Sequence, residues 1–111
     1  GTDSVFPDDD KIRLVYTGRI YAGKQDTSQL FKALTILKSR GIPLHDKLEI
    51  IFYGFALEPI QNMITKCNLE TIIKIRGFVD RIISLQAQRK ADALIFFDWH
   101  DVSAKGIWRK K

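Results

Sequence analysis

Residues 12–24 read Ile-Arg-Leu-Val-Tyr-Thr-Gly-Arg-Ile-Tyr-Ala-Gly-Lys. The opening run, Ile12 to Gly18, is short, apolar and rich in β-branched and aromatic residues. It is predicted to be a buried strand that closes on glycine. The next stretch, Gly18 to Lys24, carries two glycines and two cations and leads into a helix signal. A strand, a glycine-bearing loop and a helix in that order are the first unit of an alternating α/β domain.

The same order repeats downstream. Asp26-Thr27-Ser28-Gln29 fits a capping box, with a side-chain acceptor followed three residues later by Gln. Leu30, Phe31, Leu34 and Leu37 then share one helical face. Gly41 suits the position after a helix, and Pro43 is expected to keep that helix from resuming. Leu48 to Gly54 is predicted as the second strand. A helix from about Leu57 to Cys67 tolerates Pro59 in its first turn. Its inner face is Ile60, Met63, Ile64 and Cys67, and Asn68 is its stop. Ile72 to Phe78 is the third strand, and Asp80 caps a helix running to about Lys90. Ala93 to Phe97 is the fourth strand. A loop with Asp98, Trp99, His100 and Asp101 comes after it.

The βαβαβαβ order, with helical crossovers between short apolar strands, predicts an α/β fold. Specifically, it predicts a Rossmann-like parallel sheet with helices on both faces. Ligands of such sheets lie at the carboxyl ends of the strands. That rule selects Gly18 to Lys24, Gly54 to Glu58, Gly77 to Asp80, and Asp98 onward. Fold alone assigns no activity.

Composition narrows the class. The chain has 111 residues, 45% hydrophobic and 28% charged, which suits one globular domain and not a disordered tail. The formal charge of +5 fits a solvated, mildly basic surface by default; the sharper reading is a site for phosphate, nucleic acid or an anionic membrane, and charge alone does not choose among these. Cys67 has no partner for a disulfide, which favours a reducing, cytoplasmic setting. The longest apolar stretch, Ile50 to Leu57, is too short to span a bilayer. The chain opens on Gly1 and ends on Arg109-Lys110-Lys111, which reads as a piece of a longer protein. Residues 1–10 then read as a linker from a missing N-terminal domain, and residues 11–111 as a domain cut short at its C-terminus.

The Gly18–Lys24 loop is the strongest chemical candidate. Gly18 and Gly23 permit close backbone approach. Arg19 offers a planar fork for phosphate oxygens and Lys24 a second positive charge. The spacing is neither the dinucleotide GxGxxG nor a Walker loop. Spacing alone leaves open whether Arg19 and Lys24 hold a diphosphate or are solvated loop charges.

Four motifs in order carry a resemblance. They are Tyr16-Thr17-Gly18-Arg19 with Gly23-Lys24, Ile51-Phe52-Tyr53-Gly54, Ile75-Arg76-Gly77-Phe78-Val79, and Ala91-Asp92-Ala93-Leu94-Ile95. From about Lys11 to Lys111 the chain resembles the C-terminal, donor-binding domain of family-four (group one) glycosyltransferases. The resemblance implies two facing Rossmann-like domains with the active site between them. It implies a nucleotide diphosphate sugar, such as a UDP- or GDP-sugar, as donor, and no tightly bound cofactor. It implies transfer with retention to a glycan or lipid-linked acceptor held by the missing domain. It also allows peripheral membrane association, on the inner membrane face. Arg19 and Lys24 take the diphosphate roles and would stabilise the leaving group without a metal. Phe78 and Val79 lie beside the nucleobase, and Gly54 lets the second loop approach the donor.

The family also has a Glu-x7-Glu pair at the donor sugar. Gly106, Ile107 and Lys110 match the variant Gly-Ile-Pro-x-Lys that surrounds its second glutamate, which would fall two residues past Lys111. Lys105 stands at the first glutamate. A lysine cannot accept hydrogen bonds from sugar hydroxyls, although it can face a phosphate. Nothing explains Trp108 in place of the usual small residue or proline.

Other assignments compete with this one. A non-catalytic α/β regulatory or nucleotide-binding module shares the fold. A receiver domain needs acidic residues at the end of the first strand, where Gly18-Arg19 stands instead. Nucleic-acid binding calls for exposed base-stacking aromatics, whereas most aromatics here fall at core positions. His45 and His100 lack partners at metal spacing. Asp98 and Asp101 around His100 fit a polar loop better than a catalytic base, and Trp99 fits a hydrophobic cover better than a sugar platform. Cys67 on an inner helix face fits core packing.

Overall fold

The computed structural model describes residues 6–20 and 25–97. Its elements are β1 (Ile12–Arg19), α1 (Ser28–Ser39), α2 (Leu44–Lys47), β2 (Leu48–Phe55), α3 (Glu58–Lys66), β3 (Ile73–Gly77), α4 (Arg81–Lys90) and β4 (Ala93–Leu94). The four strands form one parallel sheet in the order β3-β2-β1-β4. The predicted Rossmann-like class is the observed one.

Strand alternation divides the core. Tyr16, Ile50, Phe52 and Ile73 face one side, where they pack with Phe31 and Leu34 of α1 and with Ile60 and Ile64 of α3. Val15, Ile51 and Tyr53 face the other, against Ala87 of α4 and Phe6. The crossover through α4 thus changes faces, and it does so as the strand order turns back past β1 to β4. The α1/α3 side holds most of the buried side chains, including the fully enclosed Phe31, Phe52, Ile50 and Ile60. On the α4 side, Ala87 is fully buried, while Ile82, Ile83 and Leu85 of the same helix are exposed.

The helix ends differ from expectation in two places. Asp26 forms no capping box. Its Oδ1 instead accepts from the Ser28 backbone N–H at 3.0 Å, a turn of two residues, and Thr27 occupies the cap position. The acceptor sits one residue before the cap position, so it meets the first N–H of α1 at Ser28 and not the N–H of Gln29 that a capping box requires. Asp80 occupies the cap position of α4, but its side chain makes no capping hydrogen bond. α1 ends at Ser39 and does not resume past Pro43. After Gly41 (φ +80°) turns the chain, with Ile42 N–H donating to Leu37 O, Pro43 leads into the single turn α2. A proline at a helix start loses no hydrogen bond there, so it is compatible with the turn that follows it.

The strands run close to their expected bounds, except β4. Its ladder covers Ala93 and Leu94 and is extended by Ile95 N–H donating to Val15 O. Phe97 then leaves the ladder and packs on Tyr16, ring centroids 5.3 Å apart. Among the described residues β4 pairs on one side only, so packing of Phe97 against the core outweighs two more rungs.

At the amino ends of the strands, Arg13 is buried, with 5% exposure. Its guanidinium donates to both Asp9 carboxylate oxygens, at 2.6 and 3.0 Å, and through Nε to Glu49 at 2.7 Å. Phe6 lies under it, with the ring centroid 5.4 Å from Cζ. Asp92 completes the join by accepting from Arg13 N–H at 2.7 Å and donating its own N–H to Arg13 O. A charge removed from water requires this degree of satisfaction. The pairing holds the Asp9 carboxyl down at about 2 and pushes the Arg13 guanidinium further up.

Candidate functional site

Three adjacent strands end in the same way. β1 ends Gly18-Arg19, β2 ends Gly54-Phe55, and β3 runs out through Gly77 into Phe78. Each glycine has positive φ, at +134°, +133° and +70°. The residues after these glycines form a row across the carboxyl edge of the sheet. The Arg19 guanidinium lies 5.6 Å from the Phe55 ring centroid, and Phe55 stacks on Phe78 with centroids 4.8 Å apart. Both rings remain exposed, Phe55 by 50% and Phe78 by 67%. Apolar rings left in water at a sheet's ligand-binding edge are informative, because burial is their default.

Gly18 and Gly54 face each other in register across β1 and β2. A Cβ built on Gly54 would meet Gly18 O at 1.7 Å. The second glycine is therefore required by the neighbouring strand's backbone as well as by anything that approaches from outside.

A cavity of about 360 Å³ opens under this row on the α4 side. Thr17, Gly18, Tyr53 and Gly54 form its floor; Phe55, Phe78 and Val79 form its lip; and Arg81, Ser84, Leu85 and Gln88 of α4 form its wall. Among the described residues no carboxylate lines it, and burial raises the pKa of the Tyr53 phenol in its floor. On the far side of the Phe55–Phe78 pair a second cavity, of about 350 Å³, includes Glu58. The two rings divide a cavity lined by one cation, Arg81, from one lined by the carboxylate of Glu58. An anionic, partly aromatic ligand complements the first.

Of the residues singled out in the sequence, Gly18, Gly54, Phe78 and Val79 come together on the first cavity. Arg19 stands next to it through Phe55. Lys24, Lys105, Gly106 and Ile107 lie outside the described residues, as do Asp98, Trp99, His100 and Asp101. Sequence reasoning included Phe55 only within the segment Gly54 to Glu58, and it missed Arg81, Ser84 and Gln88. The repeated Gly-Phe at the ends of β2 and β3 was the signal for Phe55. The α4 residues carried none, because their relation to the strand ends depends on which face the helix covers.

No family model, curated protein or solved structure matches the chain.

Among the described residues there is no group of three or more His, Cys, Asp or Glu side chains placed to hold a metal. No helix among them is long and apolar enough to cross a membrane. Cys67 is half-buried against the main core.

Proposed function

We propose that this chain is the nucleotide-sugar-binding domain of a glycosyltransferase. The full protein would transfer a sugar from a UDP- or GDP-sugar to a glycan or lipid-linked acceptor. The observation that carries the reading is the row Arg19–Phe55–Phe78 above a cavity at the strand ends whose described lining holds no carboxylate. It places a cation and aromatic surface side by side, as a nucleoside diphosphate requires. The Arg19 guanidinium beside Phe55 carries in-plane N–H donors that suit phosphate oxygens. Arg19 and Lys24 would offset the charge that grows on the departing diphosphate, an electrostatic contribution that needs no metal. The chain by itself would be inactive, since the acceptor would bind the other domain.

The test is titration of the chain with UDP, GDP and ADP by NMR or calorimetry. Weak binding of at least one is expected, reduced about tenfold or more in Arg19→Ala and in Lys24→Ala, because each removes a charge-assisted hydrogen bond. Binding that survives both substitutions would overturn the assignment.

A further inference from the structure

We infer that Ser84 and Gln88 of α4 read the hydrogen-bonding edge of a nucleobase seated in the cavity beneath Phe78. The inference rests on the proposed nucleotide binding. It adds the residues that would recognise the base.

The cavity has an outer and an inner end. Arg81, at the start of α4, lies by the lip with Phe78, and Gln88 lies two turns further along the same wall. Seven residues of helix span about 10 Å, close to the length of a nucleoside. A base entering between Phe78 and Leu85 would therefore bring its far edge to Ser84 and Gln88. Its ribose and phosphates would stay at the lip, near Arg81 and Arg19.

The inner end has the chemistry to read an edge. Gln88 Nε2 donates to Ser84 Oγ at 3.2 Å, and both side chains are half-buried. That bond fixes the amide plane and uses one of its two N–H groups. The other N–H and Oε1 remain, a donor beside an acceptor. This pair complements the adjacent carbonyl and N–H that uracil and guanine both present. The Ser84 hydroxyl, accepting from Gln88, can still donate. Tyr53, Val79 and Leu85 supply apolar contact for the base faces. Neutral polar groups at the inner end and cations at the outer end match the polarity of a nucleotide along its length.

The experiment compares two probes, UDP or GDP against inorganic pyrophosphate, on the 111-residue chain. In the wild type, the Gln88 side-chain amide NMR signals are expected to shift with UDP or GDP and to stay in place with pyrophosphate. Gln88→Leu should weaken UDP and GDP about tenfold, by leaving a base donor and acceptor unpaired, with pyrophosphate affinity unchanged. Gln88→Glu should lose at least as much, because its carboxylate meets the base carbonyl. Ser84→Ala should lose less, since the Gln88 amide remains. Unmoved Gln88 signals on nucleotide binding, or equal loss of both probes in Gln88→Leu, would overturn the inference and leave the nucleotide reading standing. A wild-type chain that binds pyrophosphate but no nucleotide would overturn both.

Discussion

Gly54→Ala is the substitution whose cost the fold defines best. The added Cβ would sit 1.7 Å from Gly18 O, 2.7 Å from Gly18 C and 3.0 Å from Gly18 N. None of these atoms belongs to a side chain that can turn away. β1 and β2 would have to part by more than about 1 Å to restore ordinary contact. That opening falls in the last rungs of the ladder, where Thr17 pairs with Tyr53 and Arg19 with Phe55. Loss of one or two ladder hydrogen bonds costs about 1–2 kcal/mol. Alanine at φ +133° adds backbone strain of about 1–3 kcal/mol. The sum is about 2–5 kcal/mol, a large share of the stability of a domain this size. Thermal denaturation should show a fall in Tm of about 10 °C or more. Gly41→Ala is the control: its φ is also positive, but none of the described residues lies within 4 Å of the new methyl group, so strain alone should appear. If Gly54→Ala cost no more than Gly41→Ala, the argument from strand contact would be refuted.

Three further outcomes are expected. The lowered Asp9 carboxyl adds stability that is complete above its unfolded value of 3.8 and is lost as pH falls towards about 2. Asp9→Asn should flatten the stability profile in that window, and urea titrations at pH values of about 5, 3.5 and 2.5 would show it. Phe52→Ala, in the middle of the larger cluster, should cost about 3–5 kcal/mol by equilibrium denaturation. Phe55→Ala should leave stability nearly unchanged, since that ring is half-exposed, but should reduce nucleotide affinity by removing the surface beneath Arg19; calorimetry on the folded variant measures this.

The strand–helix alternation was legible because it is periodic. Ile60, Met63, Ile64 and Cys67 announced the inner face of α3, and all four pack on the core cluster. Short apolar runs closing on glycine announced β1, β2 and β3. What stayed hidden depended on geometry across the sheet. Asp26 looked like a capping acceptor, but side-chain reach, which sequence spacing does not encode, set it to a tighter turn. The run Ala93 to Phe97 looked like one strand, yet the competition between ladder and core at a sheet edge ended β4 at Leu94. Arg13 read as one residue of an apolar strand. Its partners Asp9, Glu49 and Asp92 come from three segments that only the fold assembles. The candidate site divides along the same line. Residues at strand ends followed from topology, whereas Ser84 and Gln88 required the position of α4.

The unequal filling of the two sheet faces has a consequence in time. α4 is anchored chiefly through Ala87, with Val79 and Ala91 beside it, whereas α1 and α3 are each held by two large buried side chains. The least anchored element opens first in local unfolding. Backbone amides of α4 should therefore exchange with solvent deuterium at a lower opening free energy than those of β1 and β2. Because α4 is one wall of the cavity, each such opening removes the wall. A ligand that bridges α4 and the strand ends would slow that exchange, so protection of α4 amides would report occupancy of the cavity.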